Sequence, residues 1–507
     1  MMNAQAGRKA GNRGTDRTWT AVLAVNLALH LAAFCVFCGT RFSVDSYGAW
    51  MKGGYLFESM AANYRFTGAA IVRFLAAAGR NPVMNDTPEI LLWCAAASLV
   101  STALARMICE TAGMSGRCEK ACVSLAVTIT FLNVVMGSQM SFPECVTVNT
   151  AGLLLCFLAI RTACRGRNVL HALLSGVFLV LTAGTFQFYA EIWLLFVLVC
   201  FLIRLDQAEG REGRRAAGRW MLRQAIVFAV SMALYYGIAL GVLRLTGIRG
   251  TDRAGLNLAT VVENLRFYLL NQHKYLRWTA FTGGEYLTVC LGVFFLLWVL
   301  SLRRTCRAGG TGKALRCAAV SAAVYAAMYL LPAVSDVHSY RAVLGVFGIW
   351  LTGTAGILLQ EKSAPWMKRA LAAVLALVLG LNIGFVVLNE ANLTETNRRD
   401  EAWARGILQR IGEYEEENGR TVKKIAFLED EHPTGSFFRL SYTDSAMAAG
   451  WARREIFNVF RPEGHEPFSE TEADSAAEEA FRGKDWDGPA PEEQLLFSGD
   501  TVYVCCY

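Results

Sequence analysis

Charged residues are scarce in this sequence of 507 residues. Only 18% are Asp, Glu, Lys or Arg, whereas an ordinary soluble domain carries about a quarter. Hydrophobic residues make up 54%, and the mean hydropathy is +0.33. So little charge over so long a chain indicates that lipid surrounds much of the protein. It excludes a disordered scaffold, a coiled coil and a small secreted domain held by disulfides.

The sequence also lacks the motifs of soluble nucleotide-binding enzymes. It contains no P-loop, zinc-binding helix, nucleophile elbow or dinucleotide fingerprint. It shows neither a short internal repeat nor the inverted duplication found in many transporters. We expect no nucleic-acid partner. No motif requires a cofactor, although a role for a divalent cation stays open.

Cysteine is abundant, but its positions argue against metal binding. Seven of the fifteen cysteines lie in or at the ends of apolar runs, where a thiol acts as a small hydrophobe: Cys35, Cys38, Cys94, Cys109, Cys156, Cys200 and Cys290. Cys35 and Cys38 form a C-x-x-C without a second pair at zinc spacing. The adjacent Cys505 and Cys506 have no evident role.

The charges that are present divide unevenly along the chain. Residues 1–388 hold 36 Lys and Arg against 17 Asp and Glu, whereas residues 389–507 hold 13 against 25. The sequence therefore predicts a basic cytoplasmic N-terminus (1–18), a multi-span membrane domain (19–388) and an acidic extracytoplasmic domain (389–507). The acidic domain is predicted to have a small α/β fold. Its expected elements are helices at 394–419 and 444–458, strands at 423–429 and 501–507, and a loop with one short helix at 461–494.

Eleven apolar runs are long enough to cross the hydrocarbon core, which takes about 20 residues. They predict an all-α polytopic membrane protein with spans at 19–40, 88–109, 121–137, 144–160, 169–188, 190–205, 224–243, 286–302, 317–334, 342–359 and 368–388. Alternate loops on one side carry 24 Lys and Arg, and those on the other carry five, six, one or none. The positive-inside rule then puts the N-terminus inside and the C-terminus outside. Outer loops 41–87 and 244–285 contain amphipathic segments suited to the membrane interface.

Ionisable and polar side chains gather at four predicted outer turns. They are Asp45 and Lys52 after the first span, Glu144 at the start of the fourth, Gln187, Tyr189 and Glu191 after the fifth, and Asp336, His338, Tyr340 and Arg341 after the ninth. Ionisable groups near membrane depth are candidate functional residues. Simpler interpretations stay open: Asp45 as a solvated residue after a helix, Glu144 as a carboxylate favoured by a helix dipole, and Arg65 and Arg73 as headgroup anchors.

Chemistry at the outer face needs a substrate that is already outside, and a polyprenyl-phosphate sugar meets that condition. Transfer of its sugar needs a carboxylate to take the proton of the acceptor hydroxyl, and cations to stabilise the departing phosphate. Asp45 or Glu191 is the candidate base, with Glu144 as a further candidate catalytic carboxylate. Lys52, Arg65 and Arg341 are candidate phosphate ligands, and Asp336 and His338 complete the predicted binding residues.

This pattern resembles the GT-C superfamily of polyprenyl-phosphate-sugar-dependent glycosyltransferases, and most of all the Gtr-type glucosyltransferases of bacterial surface polysaccharides. The resemblance is carried by S-V-D-S-Y-G-A-W, by F-Q-F-Y-A-E, and by the closing segment N-E-A-N-L-T-E-T-N-R-R-D followed by the strand K-I-A-F-L. Many members have two adjacent acids in the first loop, whereas Ser46 follows Asp45 here.

The resemblance implies a bacterial plasma-membrane enzyme that moves glucose from a donor similar to undecaprenyl-phosphate-glucose to a cell-surface glycan. Two alternatives stay open: a transporter or flippase of a lipid-linked saccharide, and a surface polysaccharide polymerase or ligase. A transporter should place ionisable residues near the bilayer midplane. The predicted spans are mostly free of central charge, which favours an enzyme.

Overall fold

The structure of the protein is a computed structural model. It describes residues 2–39, 41–52, 54–80, 83, 87–166, 168–251, 258–271, 285–334, 347–360, 364–431, 445, 447, 449–486 and 488–506. The chain is mostly helical, and the first helices are α1 (Met2–Phe34), α2 (Ser46–Met51), α3 (Tyr55–Ala62), α4 (Phe66–Ala77), α5 (Thr87–Ala112), α6 (Arg117–Phe131), α7 (Val134–Met140), α8 (Val146–Arg165), α9 (Val169–Ala183) and α10 (Phe188–Asp206). Short 3₁₀ turns lie at Cys35–Phe37 and Pro143–Cys145.

The remaining helices continue the membrane part and then enter the C-terminal part. They are α11 (Gly210–Thr246), α12 (Leu258–Leu270), α13 (Glu285–Arg307), α14 (Thr311–Ala327), α15 (Leu330–Ala333), α16 (Gly348–Leu358), α17 (Pro365–Asn418), α18 (Gly450–Phe460) and α19 (Ser475–Phe481). The strands are β1 (Lys424–Glu429), β2 (Ser469–Glu470), β3 (Leu495–Ser498) and β4 (Thr501–Cys506).

Seven helices in the described part of the chain are long and apolar enough to cross a membrane. They are Arg17–Phe37, Thr87–Ala112, Pro143–Arg165, Phe188–Asp206, Gly210–Thr246, Leu287–Arg307 and Pro365–Asn418. Each coincides with a predicted span. The bent pair α6 and α7, with a 42° angle at the break, matches the predicted span 121–137 and raises the number to eight if it is one span.

The other three predicted spans fall on shorter helices. α9 and α16 are apolar but have only 15 and 11 residues, and α14 has 17. The helices thus lie where the apolar runs predicted them, and a membrane protein with a helical core is confirmed. The count of eleven spans and the orientation stay predictions.

The break between α6 and α7 is stabilised by two asparagine side chains. Asn133 Oδ1 accepts a hydrogen bond from the Met136 backbone N–H at 3.0 Å. Asn382 Oδ1, from α17, accepts one from the Val134 N–H at 3.2 Å. Val134 and Met136 are buried, so these side chains supply the hydrogen-bond partners that the break in the helix takes from their N–H groups.

Helix α17 runs without interruption for 54 residues. It begins with Pro365 at its first position, where a missing N–H costs nothing, and ends before Gly419, whose φ of 59° lies in the left-handed region. The predicted boundary between residues 388 and 389 falls inside this helix. Its second half, from 389 onward, packs with the C-terminal sheet through Trp403, Ala404 and Ile407.

The C-terminal sheet has the strand order β2-β1-β4-β3. β1 is parallel to β2 and to β4, whereas β3 pairs antiparallel with β4. We call this sheet, α18, α19 and the second half of α17 the C-terminal unit. The predicted strands at 423–429 and 501–507 and the helices are present, but the sequence analysis missed β2 and β3, which have only two and four residues.

Cys505 and Cys506 occupy the central strand β4 and are both buried, one in each of two hydrophobic clusters. Burial raises the pKa of each thiol to about 12. They therefore fill the core of the sheet as neutral thiols.

We expect Asn382→Leu to lower the free energy of unfolding by about 1–3 kcal/mol, because it leaves the buried Val134 N–H without its partner. The measurement is thermal unfolding of the purified protein in detergent. Leu377→Ala, at an exposed position of the same helix, is the control and should leave the transition nearly unchanged. Equal transitions for Asn382→Leu and the wild type would contradict the role given to Asn382.

Candidate functional site

Asp45 lies in a polar cluster that joins the first loop to the start of the span Pro143–Arg165. The cluster, called the carboxylate cluster below, consists of Ser43, Asp45, Ser46, Tyr55 and Glu144. Two local hydrogen bonds fold the loop: Ser43 N–H donates to Ser46 Oγ at 2.9 Å, and Asp45 N–H donates to Ser43 Oγ at 3.2 Å. This turn brings both serine hydroxyls to one side of the loop.

Glu144 receives both of these hydroxyls. Ser43 Oγ donates to its Oε1 at 3.0 Å, and Ser46 Oγ donates to its Oε2 at 2.8 Å. Glu144 lies in the 3₁₀ turn that Pro143 begins and is only 3% exposed. Both carboxylate oxygens are thus engaged by the loop, which fits a group that holds the loop in place.

Asp45 is more accessible than Glu144, since it is only partly buried. Its Oδ1 lies 3.4 Å from the Tyr55 hydroxyl, which donates to it. Burial raises the pKa of Tyr55, and the negative charges of Asp45, Glu144 and Glu455 raise it further. The phenol therefore stays protonated over the physiological pH range and remains a hydrogen-bond donor to Asp45.

A second cluster forms where α4 packs against the turn between α9 and α10. The Arg65 guanidinium lies over the Phe186 ring, 4.4 Å from its centre. Gln187 Nε2 donates to the Asn63 carbonyl and to the Tyr235 hydroxyl, both at 2.9 Å. We call Arg65, Phe186, Gln187 and Tyr235 the arginine cluster.

Close backbone approach makes this contact between α4 and the turn. The Gly68 N–H donates to the Gly184 carbonyl at 2.9 Å, and a Cβ on Gly184 would lie 2.5 Å from Thr67 Oγ1. Only glycine fits at position 184. Glu191 follows this turn in the first helical turn of α10 and is only 1% exposed.

The structure brings Asp45 and Glu144 together in the carboxylate cluster and puts Arg65 in the arginine cluster. Lys52 has a different partner, because its Nζ lies 2.8 Å from Glu455 Oε1 in the C-terminal unit. Asp336, His338 and Arg341 lie outside the described residues. In the part of the chain that is described, no group of three or more His, Cys, Asp or Glu side chains is placed to hold a metal ion.

Several residues of the site escaped the sequence analysis. Ser43 and Ser46 flank Asp45, so the run S-V-D-S was an available signal, whereas Tyr55 lies ten residues after Asp45, at the start of α3. Asn397 and Glu455 contact the same loop from the C-terminal unit. They lie more than 350 residues further along the chain, and nothing in their local sequence indicates the contact.

Comparison with protein families gives a match to the family described as Glucosyl transferase GtrII, over residues 34–388. A comparison with curated proteins gave no match. The family match covers well over half of the chain, and it includes both the carboxylate cluster and the arginine cluster. The chain therefore belongs to the Glucosyl transferase GtrII family, and it is a membrane-associated glycosyltransferase.

Proposed function

We propose that the protein transfers glucose from a polyprenyl-phosphate donor to a cell-surface glycan at the outer face of the bacterial plasma membrane. Family membership supports glucosyl transfer for modification of a surface glycan, and it favours an enzyme over a transporter of lipid-linked saccharides. The observation that carries the proposal is the carboxylate cluster, in which a partly buried Asp45 is held beside a buried, fully hydrogen-bonded Glu144.

Asp45 is the general base in this proposal. One of its oxygens accepts from Tyr55, and its partial exposure gives an acceptor hydroxyl access to the carboxylate. A proton acceptor must lie within hydrogen-bond reach of the group it deprotonates. Glu144 is less suited to that task, because both of its oxygens already accept hydrogen bonds from the loop.

Arg65 is the proposed ligand of the donor phosphate. Its guanidinium stacks on Phe186, which fixes its plane, and a planar guanidinium matches the geometry of a phosphate. Lys52 is less suited, because Glu455 already neutralises its charge. Arg341, Asp336 and His338 stay as predicted binding residues from the sequence.

The reaction balances without a further reactant. The acceptor hydroxyl gives its proton to Asp45, and its oxygen bonds to the anomeric carbon of glucose. The bond between that carbon and the phosphate oxygen breaks, and polyprenyl phosphate leaves with the electron pair. Arg65 stabilises the negative charge that grows on the phosphate.

We expect Asp45→Asn to lower kcat by about 100-fold or more, because the amide cannot take the acceptor proton. The measurement is transfer of label from polyprenyl-phosphate-[14C]glucose to glycan in membranes with equal amounts of each protein. Glu58→Gln, an exposed carboxylate in the same loop region, is the matched control and should keep wild-type activity.

Two outcomes would contradict this assignment. If Glu191→Gln abolishes transfer while Asp45→Asn retains it, the base is Glu191. If the wild type uses a nucleotide sugar but no lipid-linked glucose, the proposed donor is wrong.

Arg65→Gln should raise the KM for the lipid-linked donor by about 10- to 100-fold, since it removes a charge-assisted contact to phosphate. Arg65→Lys should recover only part of the affinity, because a lysine keeps the charge without the planar stacking surface. Arg73→Gln, in the helix α4 that follows Arg65, is the control: that guanidinium lies 5.4 Å from the centre of the Phe57 ring. Equal donor KM values for Arg65→Gln and Arg73→Gln would remove Arg65 from the phosphate site.

A further inference from the structure

The loop formed by residues 41–52 lies between the membrane part and the C-terminal unit. One side of the loop presents Ser43, Asp45 and Ser46 to the carboxylate cluster. The other contacts α17 and α18 at its beginning, its middle and its end. Each of these contacts involves residues beyond 388, outside the region shared with the family.

The beginning of the loop is bound by side chains of α17. Asn397 Oδ1 accepts from the Phe42 N–H at 3.0 Å, and Asn397 Nδ2 donates to the Phe42 carbonyl at 2.9 Å. One amide side chain thus satisfies both backbone groups of a single loop residue. Next to it, Arg41 Nε lies 3.8 Å from Glu390 Oε1, and both side chains are almost completely buried.

The middle of the loop is part of the hydrophobic core of the C-terminal unit. Tyr47 is 1% exposed and stacks on Phe42, with ring centres 4.4 Å apart and planes nearly parallel. Phe460 of α18 packs edge-on against both rings, at 6.3 Å and 6.4 Å. Such contacts fix the loop backbone on either side of Asp45.

The end of the loop is held by the ion pair between Lys52 and Glu455. Burial raises the pKa of Glu455, but hydrogen bonds from Lys52 and Arg454 outweigh it and leave the pKa below its ordinary value. Glu455 therefore carries its charge at neutral pH. Glu455 is only 3% exposed. Its negative charge contributes to the raised pKa of Tyr55, the residue that donates a hydrogen bond to Asp45.

We propose that the C-terminal unit positions the loop for catalysis, with Asn397 and Glu455 as positioning residues that act through Asp45. The inference rests on the proposed role of Asp45 as the base. The hydrogen bonds of the turn and of α2 define the internal shape of the loop. Its position relative to the rest of the protein depends on outside contacts, and those at its beginning, middle and end come from the C-terminal unit. A displacement of a reacting group by about 1 Å can cost 100-fold in rate.

The test uses the full-length protein with Asn397→Leu and Glu455→Gln, each beside a matched control. Asn392→Leu makes the same change earlier in α17. Glu479→Gln removes an exposed carboxylate of α19 that pairs with Arg482, the residue after that helix, away from the loop. Transfer from polyprenyl-phosphate-[14C]glucose gives kcat and KM, and hydrogen exchange of the peptide amides in 41–52 reports the order of the loop.

Asn397→Leu and Glu455→Gln should each lower kcat by about 10- to 100-fold while the donor KM stays within about twofold. Hydrogen exchange in 41–52 should speed up in both and stay unchanged in both controls. Asn397→Gln, which keeps a donor and an acceptor on a longer stem, should recover part of the rate.

A double variant separates positioning from general stability. In the Asp45→Asn background, Asn397→Leu should lower the residual rate by no more than about twofold, because both changes act on the same group. A further large loss there would mean that Asn397 acts through the fold, and the inference would be wrong. Wild-type kcat in both single variants would also overturn it, while leaving the proposed base intact. Full activity of Asp45→Asn itself would instead refute the proposed function.

Discussion

One continuous helix determines how the two parts of this protein meet. At about 1.5 Å per residue, the 54 residues of α17 extend for about 80 Å, whereas the hydrocarbon core is only about 30 Å thick. The same rigid element therefore packs against α6 and α7 in the membrane part and carries Asn397 and Trp403 in the C-terminal unit. Because no hinge interrupts it, the register of the membrane helices also sets where Asn397 meets the first loop.

The membrane character and the positions of the helices could be predicted from sequence, because apolar runs of sufficient length leave few alternatives to a helix in lipid. The break after Phe131 could not, since it depends on Asn382, about 250 residues away. The strands β2 and β3 could not be predicted for another reason: strands of two and four residues are too short to show an alternating pattern.

The candidate site, too, could be predicted from sequence only in part. Asp45, Glu144 and Arg65 were recognised individually, because ionisable groups at the membrane edge are unusual. That Asp45 and Glu144 share one cluster depends on the side-chain hydroxyls of Ser43 and Ser46, whose partners no local pattern specifies. Lys52 shows the limit most clearly. Its role as a phosphate ligand stays a prediction, and no local pattern indicates its ion pair with Glu455, more than 400 residues later in the chain.

The burial of Tyr47 and Phe42 in the C-terminal core has a consequence for chimeric proteins. The family match ends at residue 388, which makes that point look like a natural junction for exchanging C-terminal parts between relatives. A cut there would divide α17 in mid-helix and leave two aromatic rings of the first loop facing a foreign surface. Residues 41–52 pack with the C-terminal unit although they are distant from it in sequence, so a workable exchange must transfer them together with everything after 388.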